Sequence, residues 1–211
     1  MLWNDHSKLP KDKHAFLGGS RFSWLNYNEE DLRIAWERQY AQKMGTVLHE
    51  LSSKLIDNRI KITNKDKNMV LLYLIDNGVP REIIDLNRIM DNLIPYITDG
   101  IGFRMKSEQP LFYSENIYGF ADSIIFDERK RILRIHDYKS GITPAHLEQL
   151  EIYAALFCLE YRFKPGDINF ELRIYQDGDQ LIGNPKASDI LPTMDKIVTF
   201  DKLIEIFKEA G

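Results

Sequence analysis

The sequence predicts an α/β fold, and three observations carry that prediction. Amphipathic helical periodicity fills the first half of the chain. A β-hairpin pattern runs from Gly119 to Lys139. Behind it come an apolar helix and a further alternating strand, Ile168, Phe170, Leu172 and Ile174. Helices, a hairpin, a helix and another strand in that order belong to α/β architectures. At 211 residues the chain suits one domain over 1–211. Within it, 28–100 reads as mostly helical, 101–183 as the α/β core and 184–211 as a C-terminal helical segment.

Residues 1 to 15 are polar and aperiodic. Paired glycines in Phe16-Leu-Gly-Gly-Ser20 mark a loop, with Ser20 as an N-cap for a short helix through Trp24. Glu29 to about Asp57 reads as one long helix or as two joined near Gly45. Its stripe includes Trp36, Tyr40, Met44, Val47, Leu48, Leu51 and Leu55, at spacings of three and four. His49 lies at the edge of that stripe. A helix over 63–77 follows, capped by Thr63 or Asn64 and ended by Gly78. Pro80 is expected to open the next helix, which decays at Pro95 and Gly100. Phe103 to Tyr113 reads as extended and contains Glu108.

The hairpin is the most informative stretch. A four-residue loop, Glu128 to Arg131, pairs Phe126 with Leu133 and Ile124 with Ile135. Strand alternation puts Phe120, Asp122, Ile124 and Phe126 on one face, and Leu133, Ile135, Asp137 and Lys139 on one face of the second strand. This register sets Asp122 opposite Asp137, and a slip of one residue would send the apolar sets to opposite faces. Two carboxylates and a lysine then share an otherwise greasy face. Like charges placed opposite each other are unfavourable, and unpaired buried charge is costly. A divalent cation would resolve the conflict, because hard cations take carboxylate oxygens.

After the hairpin, Thr143 is expected to cap a helix opened by Pro144 and running to about Tyr161. Gln149 and Tyr153, four apart, are neighbours on it. Asp177-Gly178 signals a tight turn before a short return strand at Leu181 and Ile182. Phe200 to Ala210 reads as a final helix capped by Thr199.

Gly119-x-x-Asp122, Asp137-x-Lys139 and Gln149-x-x-x-Tyr153 together resemble the core of the PD-(D/E)xK nucleases. The resemblance is nearest to the RecB-type branch, which includes phage exonucleases and CRISPR adaptation nucleases. Gly45-Thr-Val-Leu-His49-Glu is similar to the upstream histidine helix of that branch, and the matched span runs from about Phe16 to Tyr175. The resemblance implies a restriction-endonuclease-like core, a small central mixed β-sheet flanked by helices, with an N-terminal helical insertion. It implies Mg²⁺ or Mn²⁺ held by His49, Asp122, Asp137 and the backbone carbonyl of Tyr138. It gives Lys139, Gln149 and Tyr153 to the catalytic set with the two aspartates. Glu108, on the first core strand, is either a further ligand or an exposed strand glutamate.

The implied activity is metal-dependent hydrolysis of DNA phosphodiesters by an exonuclease of recombination, repair or phage DNA processing. Its substrate would be single-stranded DNA or duplex ends. A rival reading is a binding or regulatory module that keeps the nuclease scaffold without turnover. A third arrangement is a nuclease subunit loaded onto DNA by a helicase or recombination protein. Some RecB-type nucleases hold an iron–sulfur cluster with four cysteines. The single cysteine here, Cys158, forbids that cluster and fits a reducing cytoplasm. No apolar run reaches the roughly 18 residues of a membrane span, and no signal peptide is evident. The net charge of −4 gives no general nucleic-acid signature. Phosphate contacts must therefore be local, with Lys8–Lys13, Arg59-Ile-Lys61 and Lys130/Arg131 as candidates.

Overall fold

The computed structural model describes residues 15–17, 22–141 and 143–210. Ser20 and the Lys8–Lys13 segment lie outside the described residues. A short 3₁₀ helix spans Phe22–Asn26. Helix α1, Glu29–Asp57, is one continuous helix. Asn28 and Asp31 cap its start reciprocally, each side chain accepting from the other's backbone N–H. The helix passes through Gly45 without breaking, because its buried stripe continues on both sides, from Met44 to Val47, Leu48, Leu51 and Leu55.

Thr63 caps a 3₁₀ turn ahead of α2, Lys67–Asp76. Gly78 then takes a left-handed φ of 75°, where a side chain would be strained. Pro80 does not open the next helix. It precedes a 3₁₀ turn at Arg81–Ile83, and α3, Leu86–Phe103, starts behind Asp85, whose carboxylate accepts from the Arg88 N–H. Helix α3 also continues through Pro95 and Gly100. Its apolar face, with Met90, Leu93, Tyr96 and Ile97 fully buried, overrides the local breakers. A Cβ on Gly100 would lie 2.7 Å from Ile56 Cδ1, so glycine here permits α1 and α3 to cross closely.

Five strands form one mixed sheet, ordered β1 (Lys106–Ser114), β2 (Ile117–Asp127), β3 (Ile132–Tyr138), β4 (Asn169–Gln176) and β5 (Asp179–Gly183). Strands β3 and β4 pair in parallel and the other neighbours antiparallel. The expected hairpin register is present: Ile124 faces Ile135 and Phe126 faces Leu133, across the loop 128–131. Asp177 (φ 53°) and Gly178 (φ 77°) are both left-handed, as a tight turn of the I′ type requires. Helices α1 to α3 pack on one side of the sheet with Tyr138 and Tyr175. Helices α4 (Glu148–Glu160) and α5 (Ala187–Ala210) pack on the other, over Leu111, Ala121, Ile124, Leu133 and Ile135. The fold is thus α/β, a five-stranded mixed sheet flanked by helices with a helical region ahead of it.

Two helix starts differ from expectation. Residues 143–146 are not helical, and α4 begins at Glu148. The Gln176 side chain holds that segment open: its amide donates to the carbonyls of Gly141 (2.7 Å) and Thr143 (2.8 Å), and its Oε1 accepts from Ala145 N–H (2.9 Å). Helix α5 begins at Ala187 rather than Phe200 and runs through Pro192. Ile190, Met194 and Ile197, at spacings of four and three, dock this early part onto the α4 side of the core. Among the described residues no helix is long and apolar enough to cross a membrane.

Candidate metal centre

Strand β2 brings Asp122 to the side of the sheet covered by α1 to α3. Strict alternation would place Asp122 with Ile124 and Phe126, but Ala121 and Ile124 both pack in the α4-side core. The alternation therefore breaks between Asp122 and Ser123. Asp122 meets His49 on α1, and the buried Ser123 hydroxyl hydrogen-bonds Tyr96 on α3 at 2.8 Å. The expected shared face of Phe120, Asp122, Ile124 and Phe126 is corrected accordingly. The irregularity is visible on the neighbouring strand. Glu108 faces Asp122 by register, between the pairs Ser107/Ser123 and Gln109/Ala121, and takes a left-handed φ of 48° in mid-strand. A non-glycine residue held there stores strain, the kind of outlier that marks functional sites.

His49 sits one helix face away. Its Nδ1 lies 3.1 Å from Asp122 Oδ2. Ligand atoms of His49, Glu108 and Asp122 all converge within 4.8 Å of one another. They open onto a cleft of about 590 Å³ lined also by Glu50, Ser53, Lys54 and Asp57. Ser53 Oγ donates to Glu108 Oε1 at 3.5 Å. The polar residues of α1 at 49, 53 and 57 recur every four positions, which is the signal that would have located this wall of the cleft.

Asp137 reaches the same place from β3. Alternation keeps it with Leu133 and Ile135 on the α4 side, almost fully buried, so the expected sharing of one sheet face by Asp122 and Asp137 is corrected: Asp122 turns to the α1 side, and the two meet at the end of the ladder. The β2–β3 ladder ends at Ser123/His136, one step before Asp122 and Asp137, whose carboxyls come within hydrogen-bonding reach of each other. Asp137 is not one of the three residues that converge within 4.8 Å; it abuts them through Asp122. Lys139 Nζ donates to Asp137 Oδ1 (3.0 Å) and to Gln149 Oε1 (3.2 Å), and Gln149 Nε2 donates to Tyr153 OH (3.2 Å). The four residues thus form one polar chain from strand to helix. Tyr153 packs where a side chain on Gly119 would stand, since a Cβ there would lie 2.8 Å from its ring. The Tyr138 side chain is buried in the core under α1 to α3, with its ring edge-on to that of His49 at 5.8 Å.

The electrostatics are those of crowded acids. Burial and the charge of Asp122 push Asp137 up to about 7. Burial opposes ionisation of Asp122 as well, but the adjacent His49 outweighs it and holds Asp122 below the usual carboxylate range. Burial alone would lower His49; the carboxylates of Asp122 and Asp137 raise it instead. Burial and Asp122 raise Glu108. Two buried oxygens, Asp122 Oδ2 and Asp137 Oδ2, accept no aligned hydrogen bond, although His49 Nδ1 lies 3.1 Å from the first and Lys139 Nζ 2.9 Å from the second. Orphaned buried carboxylate oxygens beside an imidazole are a donor set that fits a divalent cation.

A pH prediction follows from Asp137. The folded protein binds this proton more tightly than the unfolded chain, whose carboxyl has the ordinary value near 3.8. The stabilising contribution is therefore full below about pH 4 and lost as pH rises through about 7. Asp137→Asn is expected to raise the melting temperature of the metal-free protein at pH 8 and to leave it nearly unchanged at pH 4. Thermal denaturation at the two pH values checks this; an equal shift at both would contradict it.

No family model and no curated protein matches the chain. A solved structure described as "Crystal structure of SSO0001" is similar at 12% identity, covering 72% of this chain and 84% of that one, with a TM-score of 0.30.

Proposed function

We propose that this chain is a metal-dependent deoxyribonuclease of the RecB-type PD-(D/E)xK branch, a phosphodiester hydrolase using Mg²⁺ or Mn²⁺. The observation that carries the reading is the meeting of His49, Glu108 and Asp122 at one end of the Asp137–Lys139–Gln149–Tyr153 chain. His49, Asp122 and Glu108 would hold the ion, with Asp137 alongside. An imidazole among carboxylates favours Mn²⁺ over purely oxygen-seeking ions. When bound, the ion supplies Lewis acidity at the phosphate and a lowered pKa for attacking water.

The remaining chemistry belongs to side chains of this protein. Lys139 is pinned between Asp137 and Gln149, so its ammonium is already oriented where charge develops on a phosphoryl oxygen. Gln149 fixes that lysine with its carbonyl and fixes Tyr153 with its amide. Tyr153 presents a hydroxyl that can position a strand beside Lys139. The direct test incubates purified protein with end-labelled single- and double-stranded DNA, in Mn²⁺ and in chelator. Cleavage in Mn²⁺ alone is the expected result; no cleavage of either substrate in Mn²⁺ or Mg²⁺ would reject the reading.

A further inference from the structure

The face of β1 and β2 that carries Glu108 and Asp122 does not end at those residues. Two residues along each strand stand Pro110 and Phe120, a cross-strand pair, and two further stand Phe112 and Tyr118, the next pair. The intervening residues Leu111 and Ala121 point into the α4-side core. The aromatic row is therefore on the same side of the sheet as His49, past the part that α1 covers. Its rings are bare: Phe112 is 50% exposed, Tyr118 59% and Phe120 51%. Phe112 and Tyr118 stack with ring centres 6.5 Å apart, and Phe120 stands edge-on to Tyr118 at 6.3 Å.

We propose that Phe112, Tyr118 and Phe120 form a stacking platform for unpaired nucleobases, which feeds a single strand into the metal centre. The inference takes its substrate from the nuclease reading above and names which form of nucleic acid the site prefers. Three observations select this occupant. The platform is continuous with the candidate metal ligands along one strand face, with steps of roughly 6.6 Å per two residues. That is about twice the 3.4 Å rise per base in a duplex strand, so a stretched single strand can follow the row and a stacked duplex cannot. Second, a net charge of −4 and an acid-lined cleft leave little phosphate attraction for any nucleic acid, so stacking has to carry the affinity. Only unpaired or terminal bases offer a free π-face. Third, strand addition is blocked at this place, because the Phe112 N–H on edge strand β1 already donates to Glu160 Oε2 at 2.8 Å. The face, not the edge, is what remains for a ligand.

Fluorescence anisotropy with a labelled short oligothymidylate tests the platform, in Ca²⁺ to support binding without turnover. Tyr118→Ala and Phe120→Leu are each expected to weaken binding about tenfold, the scale of one lost stacking partner. Phe120→Trp is expected to retain it. Binding of a blunt duplex and of Mn²⁺ should be unchanged in all three. Oligothymidylate binding that is absent, or equal in wild type and variants, would overturn the platform, as would an equal loss on blunt duplex. Failure of the nuclease reading looks different: wild type would then not cut in Mn²⁺, whatever the variants do to binding.

Discussion

Lys139→Ala is expected to cut DNA about 10²-fold more slowly, the scale of losing one preorganised electrostatic group at a transition state, while binding divalent cations as tightly as wild type or more so. The substitution removes a cation but no oxygen donor. Lys139 Nζ lies 2.9 Å from Asp137 Oδ2, and a positive charge at that distance repels an incoming ion. Gln149 loses its bond to Lys139 but keeps its contact with Tyr153, so α4 need not move. Single-turnover cleavage at saturating Mn²⁺, set beside a calorimetric titration of the same protein, separates the two effects. Parallel loss of binding and rate would make Lys139 a structural support of the metal centre. Unchanged cleavage would remove it from the catalytic set.

Asp122→Ala is expected to lose both properties, with cleavage down by about 10³-fold or more, at the upper end of what one such group contributes. Asp122 is the residue the others converge on. It meets His49 on α1, faces Glu108 on β1 and abuts Asp137 on β3. The fold should survive the change, because the alanine gives up the pair with His49 but relieves Asp137 and Glu108 of a neighbouring charge, two effects of opposite sign. A melting temperature in chelator close to that of wild type, together with loss of cleavage, is the expected pair of results. A sharply lower melting temperature would instead assign Asp122 to the support of the fold.

Much of this arrangement is legible in the sequence where one physical rule dominates. The hairpin register follows from apolar residues that must share a core face, and Ile124/Ile135 and Phe126/Leu133 pair as that rule demands. Asp177-Gly178 makes its turn because the backbone there needs two left-handed residues. His49 reaches Asp122, although helical periodicity alone shows only that it borders the apolar stripe. Where tertiary contacts compete with local rules, the sequence misleads. Alternation fails at Asp122–Ser123, since Ser123 bonds Tyr96 on the α3 side and Glu108 takes a left-handed conformation beside it. The helix signal of Thr143-Pro144 is cancelled by Gln176, more than thirty residues on. Glu108 gains its place only through the β1–β2 register, and no short motif encodes that register.

His49, Glu108 and Asp122 are proposed to form a divalent-cation site beside Asp137. Calorimetric titration of Mn²⁺ into wild type, Asp122→Ala and Glu108→Gln tests it most directly. Wild type is expected to bind the ion, Glu108→Gln to bind it more weakly, and Asp122→Ala to show no saturable binding. Equal Mn²⁺ affinity in all three proteins, or none in wild type, would contradict the claim.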